Sequence, residues 1–214
     1  ADVEGHDACR KICILASLAF GRHVYPSQVP TEGISSVTLA DVAYADSCGK
    51  KIKLLGRAIR QEGDRVTAYV APHLVDGEDP LSGVEDVFNA ITVKGDAIGD
   101  VMFYGRGAGK LPTASAVVAD VIDAAKHMKT KKYLGWGPGG ADLAISPDDL
   151  VSAWYVRAQG TPDAVKAALG NVTFLGRAGA PEGEVAFLAE PMIRANLETA
   201  LSGMKMLSAF RVLD

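Results

Sequence analysis

The stretch IKLLGRAIRQEGDRVTAYVAPHLV, residues 52–75, holds two strand-like runs around the turn segment QEGD. Its apolar residues do not alternate cleanly. Ile52, Leu54 and Leu55 are followed by Ala58 and Ile59, and in the second run Val66, Ala68 and Val70 lie on one face with Tyr69 and Ala71 on the other. A hairpin that is apolar on both sides needs a cover on each. Two long amphipathic helices elsewhere in the chain are expected to cover one face. The other face is expected to meet the tail of the chain, a further domain or a second subunit, so a homodimer through this sheet is expected.

Upstream of the hairpin, Ile12, Ile14, Leu15, Leu18 and Ala19 recur at helical spacing, with Glu4 or Gly5 as the start and Gly21 as the stop. After a loop with Pro26 and Pro30, SSVTLADVAYADSCG reads as a short strand and then a helix ending at Gly49. Downstream, a short helix is expected near Val84 to Val87. Two more strands turn at KGD, and LPTASAVVADVIDAAKHM is the second long helix, started by Pro112 and Thr113. Residues 1–128 thus predict an α+β domain with a mainly antiparallel or mixed sheet and helices on one face.

KTKKYLGWGPGGADLAISPDDL is rich in Gly, Pro and charge, and residues 129–150 read as a linker. Residues 151–214 read strand, helix, strand, strand, helix, strand, with Thr161 as the cap and Pro162 at the first position of the first helix. That βαββαβ order is the ferredoxin-like pattern.

The composition is that of an ordinary soluble globular chain: 214 residues, 48% hydrophobic, 22% charged. A net charge of −4 without a basic cluster excludes nucleic acid as the expected partner. The longest uncharged apolar run, Ile12 to Gly21, is too short to span a membrane, and no signal peptide is visible. Three irregularly spaced cysteines, Cys9, Cys13 and Cys48, predict reduced thiols in a cytoplasmic protein. The chain starts almost inside a helix and without Met, which reads as a piece of a longer protein.

Three motifs could carry chemistry. Asp7 and Lys11 stand at i and i+4, roughly 40° apart on a helix, so they are neighbours. Spacing alone favours a solvent-facing ion pair over catalysis. His6, Cys9 and Cys13 share a helix face and are metal-ligand types, but no fourth ligand is evident and small cysteines are common in cores, so no metal is expected. FYGRGAGKLPTAS runs from a strand through Gly105, Gly107, Ala108 and Gly109 into a helix. Such a turn lets backbone approach a phosphate, a ribose or a nicotinamide ring, or is simply a tight turn. It is neither a Walker A loop nor a full dinucleotide fingerprint. GWGPGG at 135–140 follows no strand and reads as linker.

DVEGHDACRKICILASLAFG closely resembles the signature of homoserine dehydrogenase, in which an Asp-rich loop enters a helix as D-x-x-x-K. IKLLG and VEDVFNAITVKGDAIGDVMFYGRGAGKLPTASAVVADVI resemble the same family in the same order, from Asp2 to about His127. The tail resembles the ACT-type regulatory domain that many bacterial members append. The resemblance implies NAD- or NADP-dependent interconversion of L-homoserine and L-aspartate 4-semialdehyde in threonine, methionine and isoleucine biosynthesis. It implies Lys11 as the catalytic lysine. Asp7 would hold the substrate hydroxyl or a water, and Asp2 would help fix the amino group. Gly105, Gly107, Ala108 and Gly109 would line the nicotinamide end of the cofactor, with the main cofactor site in a nucleotide-binding domain upstream. The resemblance also implies a homodimer and an amino-acid effector, although QGTPDAV stands where the family's effector loop carries an Asp-x-Pro-Gly turn. A non-catalytic dimerisation and amino-acid-sensing module is the alternative from another class.

Overall fold

The computed structural model describes residues 2–133 and 135–214. It divides into two compact units, one made of residues 1–77 and 135–214, the other of residues 78–134.

The first unit is built on one six-stranded sheet. Helices α1 (His6–Phe20) and α2 (Leu39–Ser47) precede the hairpin β1 (Lys50–Arg60) and β2 (Val66–Asp76). The second unit holds β3 (Phe88–Gly95), β4 (Gly99–Arg106) and α3 (Lys110–Lys126). The chain then returns to the first unit as β5 (Ser152–Gln159), α4 (Pro162–Leu169), β6 (Val172–Leu175), β7 (Glu184–Met192), α5 (Arg194–Ala200) and β8 (Lys205–Val212). The sheet order is β1-β2-β8-β5-β7-β6. The tail therefore keeps the expected βαββαβ element order, with its own strands arranged β8-β5-β7-β6.

The tail's sheet does not stop at the tail, however. β8 pairs parallel with β2 at His73–Arg211 and Leu74–Val212, so the hairpin and the tail share one sheet. The seam is short, and it is flanked by a helix. On one face of the sheet, Tyr44 and Ala45 of α2 pack on Leu74, Tyr155, Ala186 and Phe210. Cys9, Ile12, Cys13 and Ala16 of α1 pack on Val66, Ala68 and Val70 of β2. The alternate residues Trp154, Val156 and Phe187 face the other way and meet Val165 of α4 and Leu197 and Leu201 of α5. Helices thus cover both faces. The second face of β2, expected to meet the tail, a further domain or a second subunit, is buried by the chain: Tyr69, His73 and Val75 are each 1% exposed or less.

Three local expectations are corrected. No strand forms in SSVT; the chain turns there, with Val37 N–H donating to Ile34 O at 3.0 Å, and Thr38 caps α2. The helix expected at Val84 to Val87 is a 3₁₀ turn earlier, Pro80–Gly83, because Asp79 caps Leu81 N–H and Pro80 opens the turn. Helix α3 starts at Lys110, ahead of Pro112 and Thr113. The stretch expected to be a linker is also paired: His23 N–H donates to Gly137 O at 3.0 Å, Val66 N–H to Leu143 O at 2.8 Å, and Leu143 is buried in the core around α1.

The second unit turns at 95–99 as expected, with β3 and β4 antiparallel from Phe88–Arg106 to Gly95–Gly99. Phe88 stacks on Tyr104 at 4.9 Å between centroids. No residue of α3 is buried, and Val117, Val118, Val121 and Ile122 are all about half exposed.

A buried polar cluster ties α2 to the tail. Asp41, fully buried, accepts hydrogen bonds from Arg157 Nε (2.8 Å), Tyr155 Oη (2.9 Å) and Ser208 Oγ (2.5 Å), and from Thr38 N–H (2.9 Å). Arg157 also donates to Glu184 at 3.1 Å, and Glu184 accepts from Arg177 and Tyr44. Burial opposes the charge on Asp41, but the bonds from Arg157, Ser208 and Thr38 outweigh it and hold the carboxyl at about 2. On the opposite face, burial drives His73 down to about 4, against the bond to Ala71 O. A carbonyl only accepts, so Nδ1 of His73 carries the proton toward Ala71 O (2.9 Å) and Nε2 accepts from Tyr69 Oη (3.1 Å).

Both groups have folded values below their unfolded ones, so both stabilise at neutral pH and that stability is lost as pH falls. Urea unfolding at stepped pH should show two stages. His73 accounts for roughly 3 kcal/mol lost between about pH 6.5 and 4, and Asp41 for roughly 2 kcal/mol more toward pH 2. His73→Gln should flatten the upper stage, and its survival in that variant would refute the assignment. Asp41→Ala, which leaves Arg157 buried without its main carboxylate, should cost about 3–5 kcal/mol at pH 7 by the same measurement.

Candidate active site

The loop 2–5 turns into α1 through Gly5, which caps the helix at φ 76°. Gly5 N–H donates to Asp2 O at 3.0 Å, and Cys9 N–H to Gly5 O at 2.8 Å. The apolar side of α1 is locked into the core, which leaves its first turns with a defined exposed side. There Lys11 Nζ lies 2.7 Å from Asp7 Oδ2, the two side chains 61% and 48% exposed. Asp2 is exposed on the loop ahead of them. The structure therefore brings Asp7 and Lys11 together on a rigid base and leaves both charged heads open to a solute.

Residues 31–35 clamp this loop from behind. Ile34 N–H donates to Val3 O at 2.9 Å, and Ser35 Oγ donates to Glu4 Oε1 at 2.6 Å. Gly33 passes so close that a Cβ there would stand 2.4 Å from Val3 O and 2.6 Å from Glu4 Cα. The run GISS at 33–36 carries no catalytic residue type that sequence reading would single out. The glycine is legible only once the close approach is seen.

His6, Cys9 and Cys13 do not converge. His6 is exposed, whereas both thiols are buried. Burial, and then the neighbouring Cys9, push the Cys13 thiol up to about 12, so it stays protonated and unreactive. Among the described residues no group of three or more His, Cys, Asp or Glu could hold a metal ion, and no helix is long and apolar enough to cross a membrane.

Gly105, Gly107, Ala108 and Gly109 belong to the second unit, at the turn from β4 into α3. Gly107 N–H is already used, donating to Val87 O at 3.2 Å, and a Cβ on Gly107 would stand 2.2 Å from Asn89 Nδ2. Gly105 has nothing within 4 Å of where a Cβ would be. The turn therefore does not present a nest of free amides of the kind that holds a phosphate.

Gly33→Ala should push the loop 2–5 out of place. Amide hydrogen exchange at Ile34 should speed up at least about tenfold, with a global cost of about 1–3 kcal/mol. Unchanged exchange at Ile34 would show that 31–35 does not hold the loop.

The model of the homoserine dehydrogenase family matches residues 1–122. The homoserine dehydrogenase of Synechocystis sp. is 52% identical over 126 residues, which is 58% of this chain and 29% of that protein. That of Mycobacterium tuberculosis H37Rv is 49% identical over 166 residues, 72% of this chain and 36% of that protein. The crystal structure of a homoserine dehydrogenase from Thiobacillus denitrificans superposes over 100% of this chain and 54% of its own at a TM-score of 0.84 and 30% identity. That of S. aureus homoserine dehydrogenase at pH 6.0 does so over 100% and 54% at 0.77 and 35%. The chain spans about a third of the length of these curated relatives and 54% of these solved structures. With an exposed Asp7–Lys11 pair on a core-anchored helix inside the matched segment, the chain belongs to the homoserine dehydrogenase family.

Proposed function

We propose that this chain is the substrate-binding and regulatory part of a cytoplasmic homoserine dehydrogenase, interconverting L-homoserine and L-aspartate 4-semialdehyde in threonine, methionine and isoleucine biosynthesis. The observation that carries the reading is the Asp7–Lys11 pair at 2.7 Å, open to solvent on a helix whose other side is core. Reducing an aldehyde requires a proton at the oxygen while hydride reaches the carbon. The Lys11 ammonium supplies that proton and stabilises the charge developing on oxygen. Asp7, one turn away, orients the ammonium and holds the substrate hydroxyl or a water. Asp2 helps fix the substrate's amino group. NADP or NAD supplies the hydride, and Gly105, Gly107, Ala108 and Gly109 would line its nicotinamide end. The tail serves as an ACT-like module. The homodimer rests on the family resemblance and on β1, which lies at the edge of the sheet with one side of its backbone ladder unpaired within it.

The test uses the polypeptide in which this chain is joined to a dinucleotide-binding domain. Lys11→Ala should lower kcat at least about a hundredfold with little change in substrate KM. Lys11→Arg, which keeps the charge and the partner Asp7 but not a transferable proton, should be nearly as slow. Near-normal turnover in Lys11→Ala would overturn the assignment.

A further inference from the structure

GWGPGG, residues 135–140, is tied to the loop that leaves α1. Gly137 N–H donates to Gly21 O at 2.8 Å, and Gly137 O accepts from His23 N–H at 3.0 Å. The Gln28 amide donates to Gly140 O at 2.8 Å. A Cβ on Gly139 would overlap the His23 carbonyl, so the approach requires glycine. Trp136 therefore leads directly into a fixed backbone. Its ring meets that of His23 edge-on, at 5.9 Å between centroids and 70° between planes. Tyr25 stacks on the His23 ring at 4.1 Å and covers one of its faces. Trp136 is only half-buried, so a large ring on a held backbone keeps contact area to spare.

Trp136 and His23 line a cavity of about 190 Å³. Arg10, Cys13, Ile14 and Ser17 form its helical wall, spaced i, i+3, i+4 and i+7 on one face of α1. The Cys13 thiol is protonated, and Ser17 Oγ is already used, donating to Cys13 O and accepting from Val24 N–H. Ile14, 53% exposed, adds apolar surface. The polar groups left to a ligand are the Arg10 guanidinium and the His23 ring nitrogens. Among the described residues no carboxylate lines the cavity.

Arg10 is free for a reason within the helix. Asp7, three residues earlier, could pair with it, but Asp7 Oδ2 is taken by Lys11 Nζ at 2.7 Å. Among the described residues every other arginine has a carboxylate, an aromatic ring or a carbonyl against it, and Arg10 has none. An inorganic anion would meet that one guanidinium and otherwise apolar walls, at the cost of its hydration. A zwitterion would bring an ammonium to a cavity without a carboxylate. A carboxylate on an apolar body satisfies both halves, the acid group matching the guanidinium fork and the body lying on Ile14 and Val24. A flat ring suits the corner between His23 and Trp136, stacking on one ring and meeting the edge of the other. The volume lies below the ~300–1,000 Å³ of drug-sized sites, so the ligand is a single ring.

We propose that this cavity binds a small aromatic monocarboxylate, with the carboxylate on the Arg10 guanidinium and the ring between Trp136 and His23. Asp7 and Lys11 do not line the cavity, so the inference goes beyond the proposed function and does not rest on it.

The test is titration of the whole chain with benzoate, read by calorimetry and by the NMR signal of the Trp136 indole N–H. The comparison probes each change one feature: benzamide removes the charge, cyclohexanecarboxylate removes the flat ring, and L-phenylglycine adds an ammonium. Benzoate should bind at about 1 mM or tighter and shift the Trp136 signal, with each comparison probe at least about fivefold weaker. Arg10→Met should bring benzoate down to the affinity of benzamide at unchanged melting temperature, because the guanidinium it removes is exposed and unpaired. Trp136→Ala should abolish binding, whereas Trp136→Phe, which keeps a flat ring, should retain it within about threefold. Lys11→Ala should leave it intact. Absence of benzoate binding, any comparison probe binding as tightly as benzoate, an unmoved Trp136 signal, or indifference to Arg10→Met would each overturn the site. Loss of binding in Lys11→Ala would overturn it too, by placing benzoate at the Asp7–Lys11 pair. Normal turnover of homoserine in Lys11→Ala, with benzoate binding as described, would overturn the proposed function and leave the site standing.

Discussion

Asp41 and Arg157 form the contact on which the first unit depends. The carboxylate caps its own helix through Thr38 and at the same time receives Nε of Arg157 at 2.8 Å from the tail's first strand. The parallel seam between β2 and β8 covers only two residue pairs. A seam that short contributes few ladder bonds, and the tail's sheet needs another hold on the hairpin. Helix α2 provides it, with Tyr44 and Ala45 in the apolar cluster on that face and Asp41 beside them satisfying Tyr155, Arg157 and Ser208. A buried charge is tolerated here because nearly every lone pair of the carboxylate has a donor. The expense of burying it is offset only in this one arrangement, which is how a polar cluster selects a register as well as holding it.

With the sheet fixed, α1 becomes a rigid platform. Its residues at positions 9, 12, 13 and 16 are in the core, so the opposite side of its first turns points outward by geometry alone. Ser17 secures the far end, donating to Cys13 O at 2.6 Å and accepting from Val24 N–H at 2.9 Å. Asp7 and Lys11 then sit at a defined place with exposed heads. The loop ahead of them would be free were it not for the strap 31–35. Positioning of the loop before Asp7 and Lys11 is therefore delegated to other residues, Gly33, the Ile34 amide and the Ser35 hydroxyl among them.

The second unit is different in kind. Its hairpin pairs eight residues with eight, yet Phe103, Leu111, Val121 and Met128 are all more than half exposed. Aromatic stacking of Phe88 on Tyr104, with Arg106 over the Phe88 ring at 5.0 Å, orders the strands locally. The glycine turn that follows is open at Gly105 and closed at Gly107, where Asn89 packs.

The sequence by itself determined the elements whose signal is local. The hairpin at 52–75, the strands around KGD, the long first helix, the βαββαβ tail and the Asp7–Lys11 neighbourhood all follow from periodicity, turn residues and i,i+4 spacing. The resemblance of DVEGHDACRKICILASLAFG to a known signature carries the family in the sequence alone. Only the tertiary structure decided that the hairpin and the tail are one sheet, because a two-residue parallel seam leaves no mark in either strand's pattern. It also decided that β2 is covered on both faces by its own chain; hydrophobicity on both faces says that a cover exists and not which one. Within the expected linker 129–150, Gly137, Leu143 and Ile145 are hydrogen-bonded to the first unit's framework, since Gly and Pro report backbone freedom and not the partners that use it. Nothing in the pattern around Asp41, Arg157 and Arg211 marks them as buried. A side chain's charge is written in the sequence, but its burial and its partners are set by residues far along the chain, as Arg157 and Asp41 are, 116 positions apart.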